Sequence, residues 1–367
     1  MKITCEKSDL LKGVTSVSKA VPVRTTMPIL SCILIDATGS SILLTANDME
    51  LGIETIVEGR IEERGMIALD AKIFGEIVRK LPDNTVTMET GSAMQTLIAC
   101  EKAKFTIVGK EGDEFSSLPY IEKTDPITIS QFSLKEVIRQ TIFSTADNEN
   151  NRIMSGELFK IHENNLTVAA LDGHRIAMRN LELAHVGEDV EVIVPAKSLN
   201  EISKILSGEI DSMVEIYTTP NHILFEFEGT RVVSRLIEGK YFDLDKMISN
   251  AYETKVVLNR QELINCIERA SLLVSESDKK PIIMNFENNI LALKIQSFIG
   301  AMNEEMNISM EGNQVKIGFN PRFLLDALRV IDEEEVTIYL INHRAPCFIK
   351  DEEGKYLYLI LPVNFVE

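Results

Sequence analysis

The tetrad Asp172-Gly173-His174-Arg175 sets an imidazole between a carboxylate and a guanidinium, the grouping from which acid–base catalysis could be built. No serine or cysteine nucleophile motif accompanies it. The remaining histidines, His162, His185, His222 and His343, form no metal-ligand spacing. The run Asp332-Glu333-Glu334-Glu335 reads as a solvated turn rather than a divalent-metal cluster, and there is no Walker-type glycine-rich loop. The residues imply no catalytic centre, no metal and no cofactor.

What the spacing does supply is lines of cations. On a helix, residues seven apart fall nearly on one line, because two turns take about 7.2 residues. Lys12 and Lys19, Lys72 and Arg79, Lys197 and Lys204, and Arg322 and Arg329 are each seven apart, and Lys135 and Arg139 are four apart. The apolar residues of the same segments, such as Phe74, Ile77 and Val78 or Leu199, Ile202 and Ile205, fall on other faces. Six helical windows, 9–19, 71–81, 133–142, 196–206, 261–270 and 321–330, hold 12 basic and 7 acidic residues. Only the fifth breaks the pattern, with Arg269 outweighed by Glu262 and Glu268. Because the chain as a whole carries −18, everything outside those windows carries −23. Such a surface would touch phosphates without reading bases. No aromatic platforms interleave with the cations, which disfavours single-strand binding.

The elements that position these lines recur three times. Ile3-Thr4-Cys5, Ile127-Thr128-Ile129 and Val256-Val257-Leu258 each lead into an amphipathic helix, with Leu10, Leu134 and Leu263 equivalent. A second strand–helix unit repeats around Ala71, Ala196 and Pro321, spaced by 125 residues each time. Between them lie β-branched, alternating runs such as Ser31–Asp36, Thr85–Glu89, Leu158–Ile161, Ile223–Phe227 and Val336–Leu340. The expected fold is α+β: three tandem copies of a two-helix, antiparallel-sheet domain over 1–120, 126–249 and 251–367.

Five cysteines lie far apart, without a C-x-x-C pair, which argues against disulfides or zinc and for a reducing compartment. The N-terminus has no apolar leader region, and no apolar run approaches the roughly 18 residues of a membrane span. A cytoplasmic protein is expected.

Five motifs tie the repeat to a family. Met27-Pro28-Ile29-Leu30, Leu171 to Ala177, Ser234 to Asp243, Gly318-Phe319-Asn320-Pro321 and Leu361-Pro362-Val363-Asn364 resemble the bacterial DNA polymerase III beta subunit, the sliding clamp, in order and over the whole chain. The resemblance implies a non-catalytic, head-to-tail homodimer whose six domains close into a ring, with helices lining the hole. Its partners would be sequence-independent duplex DNA, the polymerase III catalytic subunit, a clamp loader, and other polymerases and repair proteins.

The resemblance also implies site residues. A partner-peptide pocket maps onto Met154, Leu171, Gly173, His174, Arg175, Ile176, Phe242, Met247, Asn320, Phe323, Leu359, Leu361 and Val363. DNA contacts map onto Arg24, Lys72, Arg79, Arg152, Lys197 and Lys204. At the dimer interface Phe105 and Ile107 would meet Leu272 and Leu273, with Lys102 and Lys104 facing Glu304 and Glu305. Leu171, Phe242 and Asn364 stand where the family usually has Thr, Pro and Arg, which bears on peptide preference.

Two other classes of function compete with this one. A nuclease would need clustered carboxylates for divalent metal, and the sequence offers no convincing set. A scaffold that binds no nucleic acid would not place its cations at equivalent points of each repeat.

Overall fold

The computed structural model describes residues 1–146, 151–184, 189–274 and 280–365; His185 lies outside them. Six helices are present among these residues: α1 (Lys7–Val17), α2 (Ala71–Lys80), α3 (Gln131–Thr141), α4 (Ala196–Ile205), α5 (Arg260–Ser271) and α6 (Pro321–Val330). Each follows directly on a strand, as the threefold pattern requires. Leu10, Leu134 and Leu263 are fully buried in α1, α3 and α5. Ala71, Ala196 and Pro321 are the first residues of α2, α4 and α6.

Short polar residues start several of these helices by accepting an otherwise unpaired backbone N–H. Asp70 accepts from Ile73 at 2.9 Å, Asn259 from Glu262 at 2.9 Å and Asn320 from Arg322 at 3.0 Å. One face of each helix then enters the core: Phe74, Ile77 and Val78 on α2, and Leu324, Ala327 and Leu328 on α6.

The chain forms two compact units, residues 1–133 with 197–236, and residues 134–184 and 189–196 with 237–365. Neither coincides with one repeat, because sheets run across the repeats. In the first unit a nine-stranded sheet takes five strands from residues 32–111 and four from 127–235, joined where Leu51–Val57 pairs antiparallel with Thr230–Arg235. In the second, a nine-stranded sheet takes four strands from 156–195 and five from 254–360, joined where Arg175–Glu182 pairs with Tyr356–Ile360. The first unit also holds a five-stranded sheet ending on strand Ala103–Val108, and the second a four-stranded sheet ending on strand Ala301–Asn307.

All five cysteines are free and buried. Among the described residues no group of His, Cys, Asp or Glu could hold a metal ion, and no helix is long and apolar enough to cross a membrane.

One buried carboxyl departs from the rule that interior charges are paired. Glu157 has no solvent exposure; one oxygen accepts from the Thr141 hydroxyl at 3.2 Å, and the other has no hydrogen-bond partner. Burial holds its pKa well above the usual carboxylate range, so the folded chain keeps this proton. The unfolded carboxyl ionises near pH 4.3, so this contribution to stability is full below that pH and is lost as pH rises towards the folded value. Glu157→Gln should therefore gain on the wild type progressively from about pH 5 to pH 8. Urea midpoints measured across that range check the slope; parallel curves would mean that the carboxyl is ionised in the fold.

Candidate functional site

The turn at 172–175 is built by one carboxylate. Oδ1 of Asp172 accepts the N–H groups of His174 and Arg175 at 2.9 and 3.1 Å. Between them Gly173 has φ of +87°, the left-handed region that favours glycine. Arg175 then folds back into the protein and is only 7% exposed. Its Nε donates to Asp172 at 3.0 Å, one terminal nitrogen to Asp326 at 2.6 Å and the other to the Phe143 carbonyl at 2.5 Å. The guanidinium carbon lies 4.4 Å from the Phe323 ring centroid and 5.3 Å from that of Phe143. With both carboxylates and two rings committed to it, Arg175 is a structural hub rather than a catalytic group.

His174 remains exposed, its ring stacked on Phe323 at 6.1 Å. Its carbonyl accepts the N–H of Leu361 at 2.9 Å, and the Val363 N–H reaches the Gly318 carbonyl at 2.8 Å. The C-terminal segment is thus pinned beside the turn with Leu361 38% and Val363 37% exposed. Strand pairing sets Ile176 opposite Leu359. Below them Leu171, Ile176 and Leu359 share an apolar cluster with Tyr241 and Leu244, against which Met154 and Phe242 pack. Met247, 42% exposed, ends the turn that starts at Leu244. Of the expected pocket residues, Met154, Leu171, Ile176, Phe242 and Leu359 thus share one apolar cluster, and His174 and Leu361 meet at the turn above Ile176 and Leu359. Asn320 stands apart in role, since its side chain caps α6. Asp326 and Phe143, which hold Arg175, had no sequence signal; an aspartate inside a helix and a phenylalanine after one look ordinary.

The expected DNA contacts sit on exposed surface, but several are already paired. Arg79 donates to Glu76 at 2.8 Å, Lys197 to Asp48 at 2.6 Å and Lys204 to Glu201 at 2.7 Å. Arg24 and Lys72 are exposed and form no salt bridge among the described residues, and Arg152 opens an exposed turn. An open groove of about 410 Å³ between α1 and α2 gathers Lys19, Lys72 and Arg79. The straight line expected of Lys12 and Lys19 does not form. α1 ends at Val17 and tightens into a 3₁₀ turn carrying Lys19, while Lys12 meets Glu228 at 3.4 Å.

Of the expected interface residues, Lys104, Phe105 and Ile107 lie on one edge strand and Glu304 and Glu305 on another, while Lys102 sits in the turn before the first and Leu272 and Leu273 follow α5. Lys102 and Lys104 are exposed at the edge strand Ala103–Val108, where Phe105 is 39% exposed and Ile107 half-buried. Leu272 is 79% exposed, while Leu273 packs against its own core. Glu305 is exposed, but Glu304 is engaged within its own unit by Arg269 and Cys266. The Arg269 guanidinium holds the Glu304 carboxyl below its usual range.

Family models for the DNA polymerase III beta subunit match the chain three times: the N-terminal domain over residues 1–119, the central domain over 128–243 and the C-terminal domain over 246–364. The curated beta sliding clamp of Staphylococcus aureus is 34% identical over 375 aligned positions, covering 99% of both chains. The chain belongs to the beta sliding clamp family. Solved structures of beta clamps agree over their full length. A putative beta subunit from Eubacterium rectale is 63% identical with a TM-score of 0.97, and the Bacillus subtilis sliding clamp is 33% identical with a TM-score of 0.96, each covering 100% of both chains. This beta clamp therefore carries three clamp domains, and its family is non-catalytic, in keeping with a tetrad whose arginine is spent on structure.

Removing the hub should be costly. Arg175→Ala leaves Asp172, Asp326 and the Phe143 carbonyl without their donor, and breaking a buried pair of this kind costs about 3–5 kcal/mol. Chemical denaturation of the variant measures the loss; a change below about 1 kcal/mol would mean that the network carries little energy.

Proposed function

We propose that two copies of this chain close head to tail into a ring around duplex DNA and tether the replicative polymerase for processive synthesis. The polymerase III catalytic subunit, the clamp loader, and other polymerases and repair proteins would dock by short peptides in the pocket at the 172–175 turn. On this reading the domains run 1–120, 126–249 and 251–367, and the clamp works in the cytoplasm, encircling DNA without regard to sequence.

The observation that carries the reading is the make-up of the sheets. Both joints inside the chain unite a five-strand half with a four-strand half. The two remaining sheets have five and four strands and end on Ala103–Val108 and Ala301–Asn307. The second internal joint is a template for closing these edges. Strand 176–182 lies 125 residues before 301–307, and strand 356–360 lies 253 residues after 103–107, in matching sheet positions. Transferring the pairing of Ala177 with Tyr358 sets Met302 opposite Phe105 of the partner subunit. The same shift brings Glu305 opposite Lys102 of the partner subunit, an acidic edge against a basic one. Leu272, exposed three residues after the Arg269 that pairs with Glu304 on this strand, would add apolar area.

An acidic chain lined by cations that mostly keep carboxylate partners would hold DNA loosely, and its contacts would weaken with salt. Weak contact is what sliding requires, because a closed ring cannot fall off laterally.

Two measurements test this. The double variant Phe105→Cys with Met302→Cys should form a covalent dimer on mild oxidation, while Lys104→Cys with Met302→Cys, on opposite faces, should not; cross-linking of neither pair, or of both equally, rejects the register. Replacing Lys72, Lys197 and Lys204 by Glu should weaken DNA association alike across sequences and lower the slope of log K against log salt by roughly 0.9 for each phosphate no longer neutralised. An unchanged slope removes these positions from the DNA surface.

A further inference from the structure

We propose that a tyrosine-lined groove beside the partner pocket receives an acidic residue on the flank of the docked peptide. This rests on the pocket reading above and extends it to a second contact.

Side chains two apart along a strand share a face of the sheet. Ile176 and Leu359 form a pair at the pocket, and two residues along each strand Met178 pairs with Leu357. Met178 and Leu357 line an open groove of about 480 Å³ together with Ile248, Tyr252, Tyr339 and Lys350, and with the carboxylates Asp351 and Glu352, each engaged elsewhere. Groove and pocket share one apolar cluster, which holds Leu171 and Leu359 at one end and Tyr339 and Leu357 at the other, with Ile248 and Met178 packed on it. The turn after Leu244 divides them. Met247 and Ile248 both bond its carbonyl, at 2.9 and 3.1 Å; Ile248 lines the groove, and Met247 is one of the expected pocket residues. The offset between the two places is about 7 Å, which two or three extended peptide residues span.

The groove's chemistry is specific. Tyr252 is 51% exposed and meets Tyr339 edge-on, with ring centroids 5.0 Å apart. Lys350 Nζ lies 4.9 Å over the Tyr339 ring and donates to Asn250 Oδ1 at 3.3 Å. Among the described residues it forms no salt bridge, although acidic residues follow it directly. Asp351 instead accepts the Tyr356 N–H at 3.1 Å, and Glu352 pairs with Lys255 at 3.2 Å. An ammonium cradled by a ring and an amide, at the end of a surface that already offers an apolar floor, suits a carboxylate brought by a partner. The half-exposed tyrosine supplies the contact area that anchors such flanks.

The test uses the full-length clamp and synthetic peptides titrated by calorimetry at about 0.1 M salt. The first peptide is the C-terminal segment of the polymerase III catalytic subunit; the others extend it by two glutamates or two glutamines at either end. One glutamate extension should bind about fivefold more tightly than its glutamine counterpart, the scale of a partly desolvated ion pair. Lys350→Met should erase that ratio and leave the unextended peptide's affinity unchanged, and Tyr252→Ala should weaken both forms of the productive extension. Met247→Ala with Leu361→Ala should abolish binding of the unextended peptide. Equal affinity for both extensions at both ends, or a ratio that survives Lys350→Met, overturns the groove and leaves the pocket standing. An unextended peptide that does not bind the wild type overturns the pocket, and the groove with it.

Discussion

An open β-sheet edge is a row of unpaired donors and acceptors, and this chain is organised around how its edges are closed. Each repeat alone would end in such rows. The chain satisfies two of them internally by running a sheet from one repeat into the next, so that Val232 pairs with Ile53 and Ala177 with Tyr358. The main-chain pairing fixes register, and register fixes which side chains face the helices, because a slip of one residue would exchange the two faces. The surface at the 172–175 turn follows from the second of these joints. Leu359, Leu361 and His174 meet because the strand that follows His174 is paired with strand Tyr356–Ile360.

The two joints also reuse one turn, 124 residues apart. Asp48 accepts the N–H groups of Glu50 and Leu51, as Asp172 accepts those of His174 and Arg175. Met49 and Gly173 both take positive φ, and the carbonyls of Glu50 and His174 both receive an N–H from the end of the joining strand, Arg235 as its last residue and Leu361 as the residue just after it. The second oxygen of each aspartate then takes a different cation. Asp172 binds Arg175 within its own turn, while Asp48 binds Lys197 at the start of α4. Where the arginine turns inward, Gly173 and His174 are left exposed beside apolar side chains. Where the lysine crosses from a helix, that helix is braced to the turn.

This explains how far the sequence could be read. Helix starts and buried faces were legible because they are local: Leu10, Leu134 and Leu263 sit at one phase of three helices, and short polar residues precede several of them. The family motifs supplied most of the expected pocket residues for the same reason, as contiguous stretches, although Met154, Met247, Phe323 and Leu359 lie outside them. What could not be read is long-range. Nothing in residues 51–57 says that they pair with 230–235, so three sequence repeats gave no hint of two compact units. Ion pairing was equally hidden. Lys197 reads as a free cation on an exposed helix until the fold brings Asp48 to it, and Arg139 reads likewise until Asp332 arrives beside Glu136.

Such pairs, whether long-range like Lys197 with Asp48 or within one helix turn like Arg79 with Glu76 and Lys204 with Glu201, bear on what the basic residues can do. A cation whose charge is already half neutralised by a neighbour gains less from a phosphate than a solitary one, because the new partner must share or replace the old. Arg79, Lys197 and Lys204 are of this kind, whereas Arg24 and Lys72 have no such bridge among the described residues. A wall built mostly of such bridged cations presents a shallow potential, smoothed further by salt within about 8–10 Å. On the proposed reading, the −23 carried outside the six helical windows would disfavour DNA elsewhere on the chain. In the ring proposed above, affinity and retention would thereby be separated: the helices would need only to keep the duplex from sticking to any one place, and the closed backbone hydrogen bonding of the sheets would do the holding.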